Sequence, residues 1–375
     1  MLWGQKMSEK INVLHVVGRM DRGGTETLLM NLLRTVDRSV FQFDFVEQTN
    51  NPCDYDEEIK SLGSRIYRCP TISPLNLREY RLWWRDFFRK HPEYHIVHGH
   101  SRGSAPIYLD EANKAGRVTI AHCHSNSHGK GVRGLIRYVW QLPLRKIANY
   151  NFACSYEAGM SQYRKESAFK VINNGIISSK FTWNSEIRNN VRRQLGIENN
   201  FVVGNVARFD EPKNHEFLIK VFAELTKRVP ESRLLLVGKG PLLSHIQKEA
   251  SELGINDKVM YLGLRNDVNE LLQAMDILVF PSKYEGTPLA LVEAQASGLP
   301  CYVSADVISK DVDITDLIHH ISLNESPEYW ADYILEHQIS INDRRDTSQE
   351  IINAGFDIRS TADELCSFYR EILND

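Results

Sequence analysis

The chain has 375 residues and a formal net charge of −3, with 42% hydrophobic and 25% charged residues. This length exceeds what one ordinary hydrophobic core needs, so we expect two domains with the composition of a soluble globular protein. No apolar run approaches the roughly 18 residues of a membrane span, which argues against an integral membrane protein.

The N-terminus and the cysteines both favour a cytoplasmic protein. The opening MLWGQKMSEK has no basic segment followed by an apolar one, so we expect no signal peptide and interpret it as a disordered lead or cloning remnant. The six cysteines are scattered without a CxxC pair, which favours neither a disulfide framework nor a zinc site.

Charge is distributed unevenly along the chain. Residues 1–180 contain 26 Lys and Arg and 17 Asp and Glu, a net charge of +9, whereas residues 181–375 have a net charge of −12. The basic half suggests an anionic partner such as phosphate, an acidic glycan or membrane lipid, and chance variation of the surface is the alternative. We find no nucleic-acid signature beyond charge.

The first half alternates short apolar runs with helical patterns. The run INVLHVVG predicts a buried parallel strand, which the loop RMDRGGTE and the helical pattern TLLMNLLRTV follow. Further strands are predicted at 41–47, 95–100, 118–124, 151–155 and 171–176. This alternation is typical of a doubly wound α/β domain.

The second half repeats the alternation more clearly. Strands are predicted at 201–209, 258–263 and 277–282 and at RLLLVGKGP and CYVSADV, with helices between them. We therefore expect two Rossmann-like parallel-sheet domains in tandem, with the break near 177–184. The tail TADELCSFYREILN predicts an amphipathic terminal helix.

Two stretches of the basic half, 77–90 and 133–150, combine basic and aromatic residues. Each is compatible with an amphipathic helix that lies on an anionic membrane surface. The favoured interpretation is a core helix whose arginines snorkel or line the solvent face.

Ligands of open α/β sheets bind beyond the carboxyl ends of the strands, so the residues there are the candidates for a site. Gly23 and Gly24 follow the first strand and would let the backbone approach a phosphate at a helix N-terminus, although a plain turn explains them equally well. Arg208 closes a strand and Lys213 precedes a helix, so the two cations would clamp a diphosphate unless they are ordinary surface charges.

The stretch KYEGTPLALVEAQASGLP contains two glutamates around a helix start. Pro288 suits the first turn, so the free amides near Leu289 and Ala290 would point toward an anion. Glu293 would accept ribose hydroxyls or stabilise the helix dipole. Glu285 would hold sugar hydroxyls or be a solvated loop acid.

Histidines cluster at the ends of two predicted strands, in HIVHGH and AHCHSNSH. Two HxH groups without a nearby acid make a poor zinc site, so we expect no metal there. Hydrogen bonds to a polar substrate are the favoured interpretation.

Together these segments resemble the family 4 glycosyltransferases, group 1 enzymes of the capsular and exopolysaccharide type with the GT-B fold. The resemblance spans most of the chain through GGTE, IVHGH, AHCHS, INNGI, ARFDEPKN, LLLVGKGP, YLGLRNDV and FPSKYEGTPLALVEAQASGLP, the last of which contains the family's E-x7-E motif. It implies an acceptor-side domain at 1–180, a nucleotide-sugar domain at 181–358 across a cleft, and a terminal helix at 359–375 that packs toward the first domain.

The resemblance also implies the roles of individual residues. Arg208 and Lys213 match the pair that holds the donor diphosphate, and Glu285 matches the glutamate that faces the donor sugar. A strand-end histidine contacts that sugar in the family, and the AxHxH spacing leaves His122 and His124 as candidates, with His124 slightly preferred. The other implied donor-binding residues are Glu293 at the ribose, Thr287, Pro288 and Leu289 at the diphosphate, Leu264 and Arg265 beside the base, and Gly23 and Gly24 near phosphate and acceptor.

The activity implied is that of a retaining hexosyltransferase that needs no metal and no other cofactor. The expected donor is a UDP-sugar, with UDP as the product, and the expected acceptor is a saccharide or lipid-linked saccharide of polysaccharide biosynthesis. The protein would be cytoplasmic or peripheral on the inner membrane face, and would bind no nucleic acid.

Three alternatives are a GT-B-fold sugar-nucleotide epimerase, a non-enzymatic two-domain sugar-binding protein and a catalytically silent homologue. The E-x7-E motif with ARFDEPKN argues against the first, and the lack of a signal peptide argues against the second. The retained motif cations and glutamates argue against the third.

Overall fold

The computed structural model describes residues 10–124, 131–305, 307–337 and 339–374. The predicted lead at the N-terminus falls almost wholly outside these residues. By its internal contacts the chain divides into two compact units, Met1–Gly175 with Ile358–Asp375 (unit 1) and Ile176–Asp357 (unit 2).

Unit 1 is built on a seven-stranded sheet in the order β3-β2-β1-β4-β5-β6-β7, in which every neighbouring pair is parallel. The terminal helix α15 belongs to this unit and packs against α1. Its elements are β1 Ile11–Val17, α1 Gly24–Thr35, β2 Phe41–Glu47, α2 Asp56–Ser61, β3 Ile66–Arg68, α3 Leu77–Lys90, β4 Ile96–Gly99, α4 Ala105–Lys114, β5 Val118–Cys123, α5 Gly131–Gln141, α6 Leu144–Ile147, β6 Tyr150–Ala153, α7 Tyr156–Tyr163, β7 Lys170–Val171 and, after unit 2, α15 Ile358–Asn374.

Unit 2 is built on a six-stranded parallel sheet in the order β10-β9-β8-β11-β12-β13. Its elements are α8 Ser185–Leu195, β8 Phe201–Val206, α9 His215–Arg228, β9 Ser232–Val237, α10 Leu243–Glu252, β10 Val259–Gly263, α11 Val268–Ala274, β11 Ile277–Phe280, α12 Leu289–Ala296, β12 Cys301–Ser304, β13 Ile318–Ile321, α13 Pro327–Glu336 and α14 Ser348–Asn353.

The prediction of two Rossmann-like parallel sheets is confirmed. Buried strands such as β1, β9 and β11 are near-continuous apolar runs because helices cover both faces of a parallel sheet. The predicted strand at 171–176 is wrong beyond its first residue, since Asn173, Asn174 and Gly175 favour turn geometry and only β7 pairs with the sheet. Strands β3 and β13 were not predicted, because β3 has three residues and β13 carries two histidines in place of an apolar run.

Because its strands are parallel, each sheet places the carboxyl ends of all its strands at one edge. The loops after β1, β4 and β5 in unit 1 and after β8, β9, β10 and β11 in unit 2 contain most of the predicted site residues. Among the described helices, none combines the length and the hydropathy that crossing a bilayer requires.

Candidate active site

The loops after β8 and β11 are joined by an ion pair between two predicted site residues. Lys213 Nζ lies 2.6 Å from Glu285 Oε1, and the Ser282 hydroxyl donates a second hydrogen bond to the same oxygen over 2.7 Å. The Glu285 side chain is only 7% exposed and that of Lys213 is 23% exposed. The alternative that Glu285 is a solvated loop acid is therefore wrong.

The residues on both sides of Lys213 fix its position. Asn214 adopts a left-handed φ of 56° between the turn at 211–213 and α9, and its side-chain amide donates to the carbonyl of Pro281 over 3.0 Å. The Lys283 amide donates to the carbonyl of Pro212 over 2.7 Å. These contacts tie the two strand-end loops to each other. Sequence reasoning missed Ser282, although it lies in the motif stretch, three residues before Glu285.

Arg208 lies two residues beyond β8 and its side chain is 70% exposed. Its Nε is 3.7 Å from a carboxylate oxygen of Asp210, so the guanidinium is loosely held and reaches into solvent. Two cations thus lie beyond the same strand end, one fixed by a buried carboxylate and one free to reorient.

The close approach of the loop after β9 explains the glycines of VGKGP. A Cβ on Gly238, which has a φ of +139°, would lie 2.0 Å from the Ala207 carbonyl oxygen, and one on Gly240 would lie 2.3 Å from that of Phe209. The sequence predicted only a turn here. The absence of a Cβ at these glycines lets the loop lie in close contact with the backbone on both sides of Arg208.

Helix α12 begins at Leu289, so Pro288 occupies the N-cap and not the first turn as predicted. Glu293 lies in the second turn and is half-buried. Burial raises the pKa of its carboxyl group to about 8. Thr287 is half-buried in the loop before the helix.

The predicted base-bordering residues follow β10. Leu264 is 39% exposed, and Arg265 pairs with Asp267 through Nε over 2.7 Å. Both residues are accessible at the same edge of the unit 2 sheet as the Lys213–Glu285 pair.

In unit 1 the glycine loop follows β1 as predicted. Gly23 is the N-cap of α1, and a Cβ there would lie 2.5 Å from a Glu26 carboxylate oxygen, whereas a Cβ on Gly24 would meet open space. Burial raises the pKa of Glu26 to about 7. Glu26 was not predicted, although a glutamate three residues after an N-cap is a recognisable capping pattern.

Four predicted histidines lie on one face of the unit 1 sheet together with His15 of β1, whereas the fifth, His128, falls outside the described residues. His98 pairs in register with His15, and the alternation of side chains places His100, His122 and His124 on the same face. Across this face the rings of His122 and His124 have centroids 4.0 Å apart. Sequence reasoning missed His15 because it is a lone polar residue within an apolar strand.

Burial keeps these imidazoles neutral. It lowers the pKa of His15 and of His124 to about 3, and it lowers the pKa values of His98, His100 and His122 well below the usual range, with a smaller contribution from the neighbouring rings. Ring nitrogens of His100, His122 and His124 lie within 4.8 Å of one another, so this donor set could hold a metal ion.

The two basic-aromatic segments differ in what they expose. In α3 the aromatic residues Tyr80, Trp84, Phe87 and Phe88 are buried, and Arg81 and Arg85 pair with the buried Glu111 over 2.9 and 3.0 Å. That helix matches the core alternative. In α5, by contrast, Ile136, Val139 and Trp140 are 62%, 55% and 39% exposed, at the spacing of one helix face.

Comparison with known proteins places both units in one family. The family model described as glycosyl transferases group 1 matches residues 187–336, and the one described as glycosyltransferase family 4 matches residues 22–176. The Bacillus subtilis (strain 168) protein EpsF, whose name assigns it provisionally to the glycosyltransferases, is 34% identical over 96% of this chain and 97% of its own length.

Two further proteins match over nearly their whole length. The capsular polysaccharide biosynthesis glycosyltransferase CapH of Staphylococcus aureus is 26% identical over 96% of this chain and 98% of its own. The structure of Anabaena Alr3699/HepE in complex with UDP has a TM-score of 0.79 at 19% identity and covers 97% of this chain and 100% of that one, and the same protein has been solved with UDP-glucose. The chain therefore belongs to the family 4, group 1 glycosyltransferases and has their GT-B fold.

Proposed function

We propose that this glycosyltransferase transfers a hexose from a UDP-sugar to a saccharide or lipid-linked saccharide, with retention of the anomeric configuration and without a metal or other cofactor. The product would extend an extracellular or capsular polysaccharide. Names of similar proteins support this class of product and donor, since CapH is named for capsular polysaccharide biosynthesis and HepE was solved with UDP and UDP-glucose.

The observation that carries the proposal is the Lys213–Glu285 pair beside the exposed Arg208. An ammonium group has three N–H donors, of which the contact with Glu285 uses one, so Nζ can also donate to a diphosphate. Arg208 would add a forked contact to the same diphosphate.

These two cations would stabilise the negative charge that grows on the diphosphate as the sugar departs. The first amides of α12, at Leu289 and Ala290, would add a partial positive charge at Thr287 and Pro288. Glu285, held by Lys213 and Ser282, would keep its second oxygen for a hydroxyl of the donor sugar.

The nucleoside would lie against Glu293, Leu264 and Arg265. Glu293 would lose its proton when it accepts two ribose hydroxyls, because a hydrogen-bonded carboxylate favours the charged form. The acceptor would attack from the face that the diphosphate leaves, and a diphosphate oxygen would take its proton. Gly23 and Gly24 of unit 1 would leave room for backbone contact with a phosphate or the acceptor.

Isothermal titration with UDP and GDP tests the diphosphate assignment. Wild-type protein is expected to bind UDP, and Arg208→Ala and Lys213→Ala are each expected to lose roughly tenfold or more in affinity, as for a lost charged hydrogen bond. Lys220→Ala is the matched control, because Lys220 pairs with Glu249 on α9 and α10. Unchanged affinity in both site variants would refute the assignment.

A panel of nucleotide sugars, scored for slow donor hydrolysis and for acceptor transfer, tests the reaction class. The product formed should keep the anomeric configuration of the donor, and activity should survive a chelator. Conversion of a nucleotide sugar to its epimer without release of UDP would instead support an epimerase. Binding without any turnover, even with acceptor mixtures, would support a sugar-binding protein or a silent homologue.

For membrane association, the exposed face of α5 in the 133–150 segment is the better supported surface, since the aromatic residues of 77–90 lie in the core. We expect sedimentation with vesicles of phosphatidylglycerol to fall for Val139→Glu. Leu82→Glu, on the exposed face of α3, should have no effect. Equal sedimentation of all three proteins would contradict this part of the proposal.

A further inference from the structure

A pocket of about 540 Å³ in unit 2 lies away from the Lys213–Glu285 pair. The residues that line it include Trp183, Arg188, Arg192, Arg193, Glu198 and Arg344. Arg192 bonds to Asn200 and Asp276, the residues that directly precede β8 and β11. Because the strands are parallel, this arginine pocket lies at the edge of the sheet where the strands begin, opposite the candidate donor site. Its volume falls within the roughly 300–1,000 Å³ of small-molecule sites.

Helix α8 supplies most of the charge of the arginine pocket. In its sequence SEIRNNVRRQL, Ile187 and Val191 pack on the core of unit 2, whereas Arg188 and Arg192 form the adjoining row along the helix. Both arginines are buried, with 8% and 4% of their surface exposed, and Arg344 joins them at 6% from the loop before α14. Arginine is almost never this buried without a partner, so its partners need to be identified.

Most of the partners are backbone carbonyl groups. Arg188 Nη1 donates to three carbonyls at the C-terminal end of α11 over 2.9 to 3.2 Å, and Arg344 donates to the same helix end and to Ser297 over 2.8 to 3.1 Å. Within the described ranges, Asp276 is the one carboxylate that pairs with these guanidinium groups, through Arg188 and Arg192. The buried Arg192 Nε has no hydrogen-bond partner there.

These contacts leave positive charge in excess. Carbonyl groups accept hydrogen bonds but carry no net charge, and the C-terminal end of a helix contributes only about half a negative charge. Three buried cations therefore face one carboxylate, while the exposed Arg193 and Glu198 offset each other. Burial, together with repulsion from Arg188 and Arg192, lowers the pKa of Arg344 to about 9.

We propose that the arginine pocket binds a small molecule through a phosphate or diphosphate group. Guanidinium N–H pairs match phosphate oxygens, and a phosphate group brings about 1.5–2 negative charges, close to the excess present. The exposed Arg193 can turn to such a ligand, because its Nη1 lies 3.5 Å from Asn190, at the limit of a hydrogen bond. Trp183, over whose ring the Arg344 guanidinium lies at 4.2 Å, supplies a flat wall.

Isothermal titration of the full chain tests the site with pyrophosphate, glucose 1-phosphate and succinate at equal ionic strength. Both phosphates should bind saturably and more tightly than succinate, which has a similar charge without the phosphate geometry. Because the proposed donor site would also accept a diphosphate, each titration is repeated in Arg208→Ala, where binding to the arginine pocket should persist. If neither phosphate binds Arg208→Ala saturably, or if succinate binds as tightly, the inference is overturned and the arginines only tie α8 to α11.

The same titrations distinguish the source of the phosphate. Tighter binding of glucose 1-phosphate indicates a phosphorylated metabolite, and tighter binding of pyrophosphate indicates an inorganic ligand; either result upholds the site. Since the arginine pocket and the donor site lie at opposite edges of the sheet, failure of the proposed function leaves this inference standing, and the reverse also holds.

One pair of variants removes a positive charge at the rim and elsewhere. Arg193→Gln should weaken pyrophosphate binding in the Arg208→Ala background about tenfold, as for a lost charged hydrogen bond. Lys248→Gln removes the same charge from α10, where Lys248 pairs with Glu252, and should leave the affinity unchanged. Equal affinities in the two variants would place the phosphate outside the arginine pocket and overturn the inference.

A second pair adds a negative charge to α8. Asn189→Glu places a carboxylate in the arginine pocket, one turn from Arg193, so pyrophosphate should bind at least tenfold more weakly and should no longer raise Tm. Gln194→Glu adds the same charge on the exposed surface of α8 and should keep the affinity. A lower Tm for Asn189→Glu than for wild type, or equal affinities for the two glutamate variants, would contradict the charge excess on which the inference rests.

Discussion

Removing Lys213 from its pair with Glu285 is expected to destabilise unit 2. The carboxylate is 7% exposed, and in Lys213→Met the Ser282 hydroxyl would be its one remaining partner among the residues that the structure describes. Breaking a fully buried pair from one side costs about 3–5 kcal/mol, and an exposed pair contributes about 0–1 kcal/mol. Since Lys213 is itself 23% exposed, we expect a loss of roughly 2–3 kcal/mol.

Scanning calorimetry measures this loss through the unfolding transition that contains unit 2. For a domain of this size about 1 kcal/mol shifts Tm by roughly 2–4 °C, so Lys213→Met should lower Tm by roughly 5–10 °C. Glu285→Gln should cost only about 1 kcal/mol, because the partly exposed lysine can turn to water and the amide can still bond to Ser282.

The double variant distinguishes an ion pair from two independent contributions. Lys213→Met with Glu285→Gln leaves no buried charge, so it should be more stable than Lys213→Met alone, with a coupling free energy of about 1–2 kcal/mol. Most of this coupling should persist at high salt, because buried pairs are weakly screened. If the two single losses simply add to within about 0.5 kcal/mol, the reasoning is wrong.

Three further predictions concern the same unit. Burial raises the pKa of Glu293 to about 8, so the stabilisation that the protonated carboxyl group provides is complete below its ordinary pKa near 4.5 and is lost as pH rises toward 8. The Tm of Glu293→Gln relative to that of the wild type should therefore rise from pH 5 to pH 8. A Tm difference that stays constant over this range would contradict the prediction. Asn214→Ala should lower Tm more than Asn214→Gly, because both lose the amide contact but only alanine is strained at a φ of 56°; equal losses in denaturant unfolding would exclude that strain. Gly238→Ala should lose both stability and UDP affinity. Gly254→Ala, where a Cβ meets open space at a φ of +70°, should keep its UDP affinity in titration. Equal UDP affinities for the two variants would show that the glycine loop does not position Arg208.

The sequence was sufficient for the fold because both units follow strong local patterns. Apolar runs of strand length alternate with amphipathic helices, and a parallel sheet covered on both faces is the arrangement that buries such runs. The prediction was wrong where the pattern is weak, as at 171–176 and in the two short strands β3 and β13.

The sequence also placed the candidate residues at strand ends, since motif order and turn residues reveal where each strand stops. Their roles in binding and catalysis remain predictions. Sequence spacing could not reveal that Lys213 and Ser282 both donate to the same carboxylate oxygen of Glu285, because Lys213 and Glu285 are 72 positions apart and meet only through the pairing of β8 with β11.

The tertiary structure alone decided the environment of each polar group. In sequence, His15 is a lone polar residue within the apolar strand β1. The register of β1 with β4 brings it beside His98 and within hydrogen-bond distance of His100. Likewise the two glutamates belong to one sequence motif, yet one is ion-paired and the other has its pKa raised by burial. Local sequence determines which segments become strands and helices, because their periodicity is local. Burial, hydrogen-bond partners and protonation depend on neighbours from distant segments, so only the folded chain determines them.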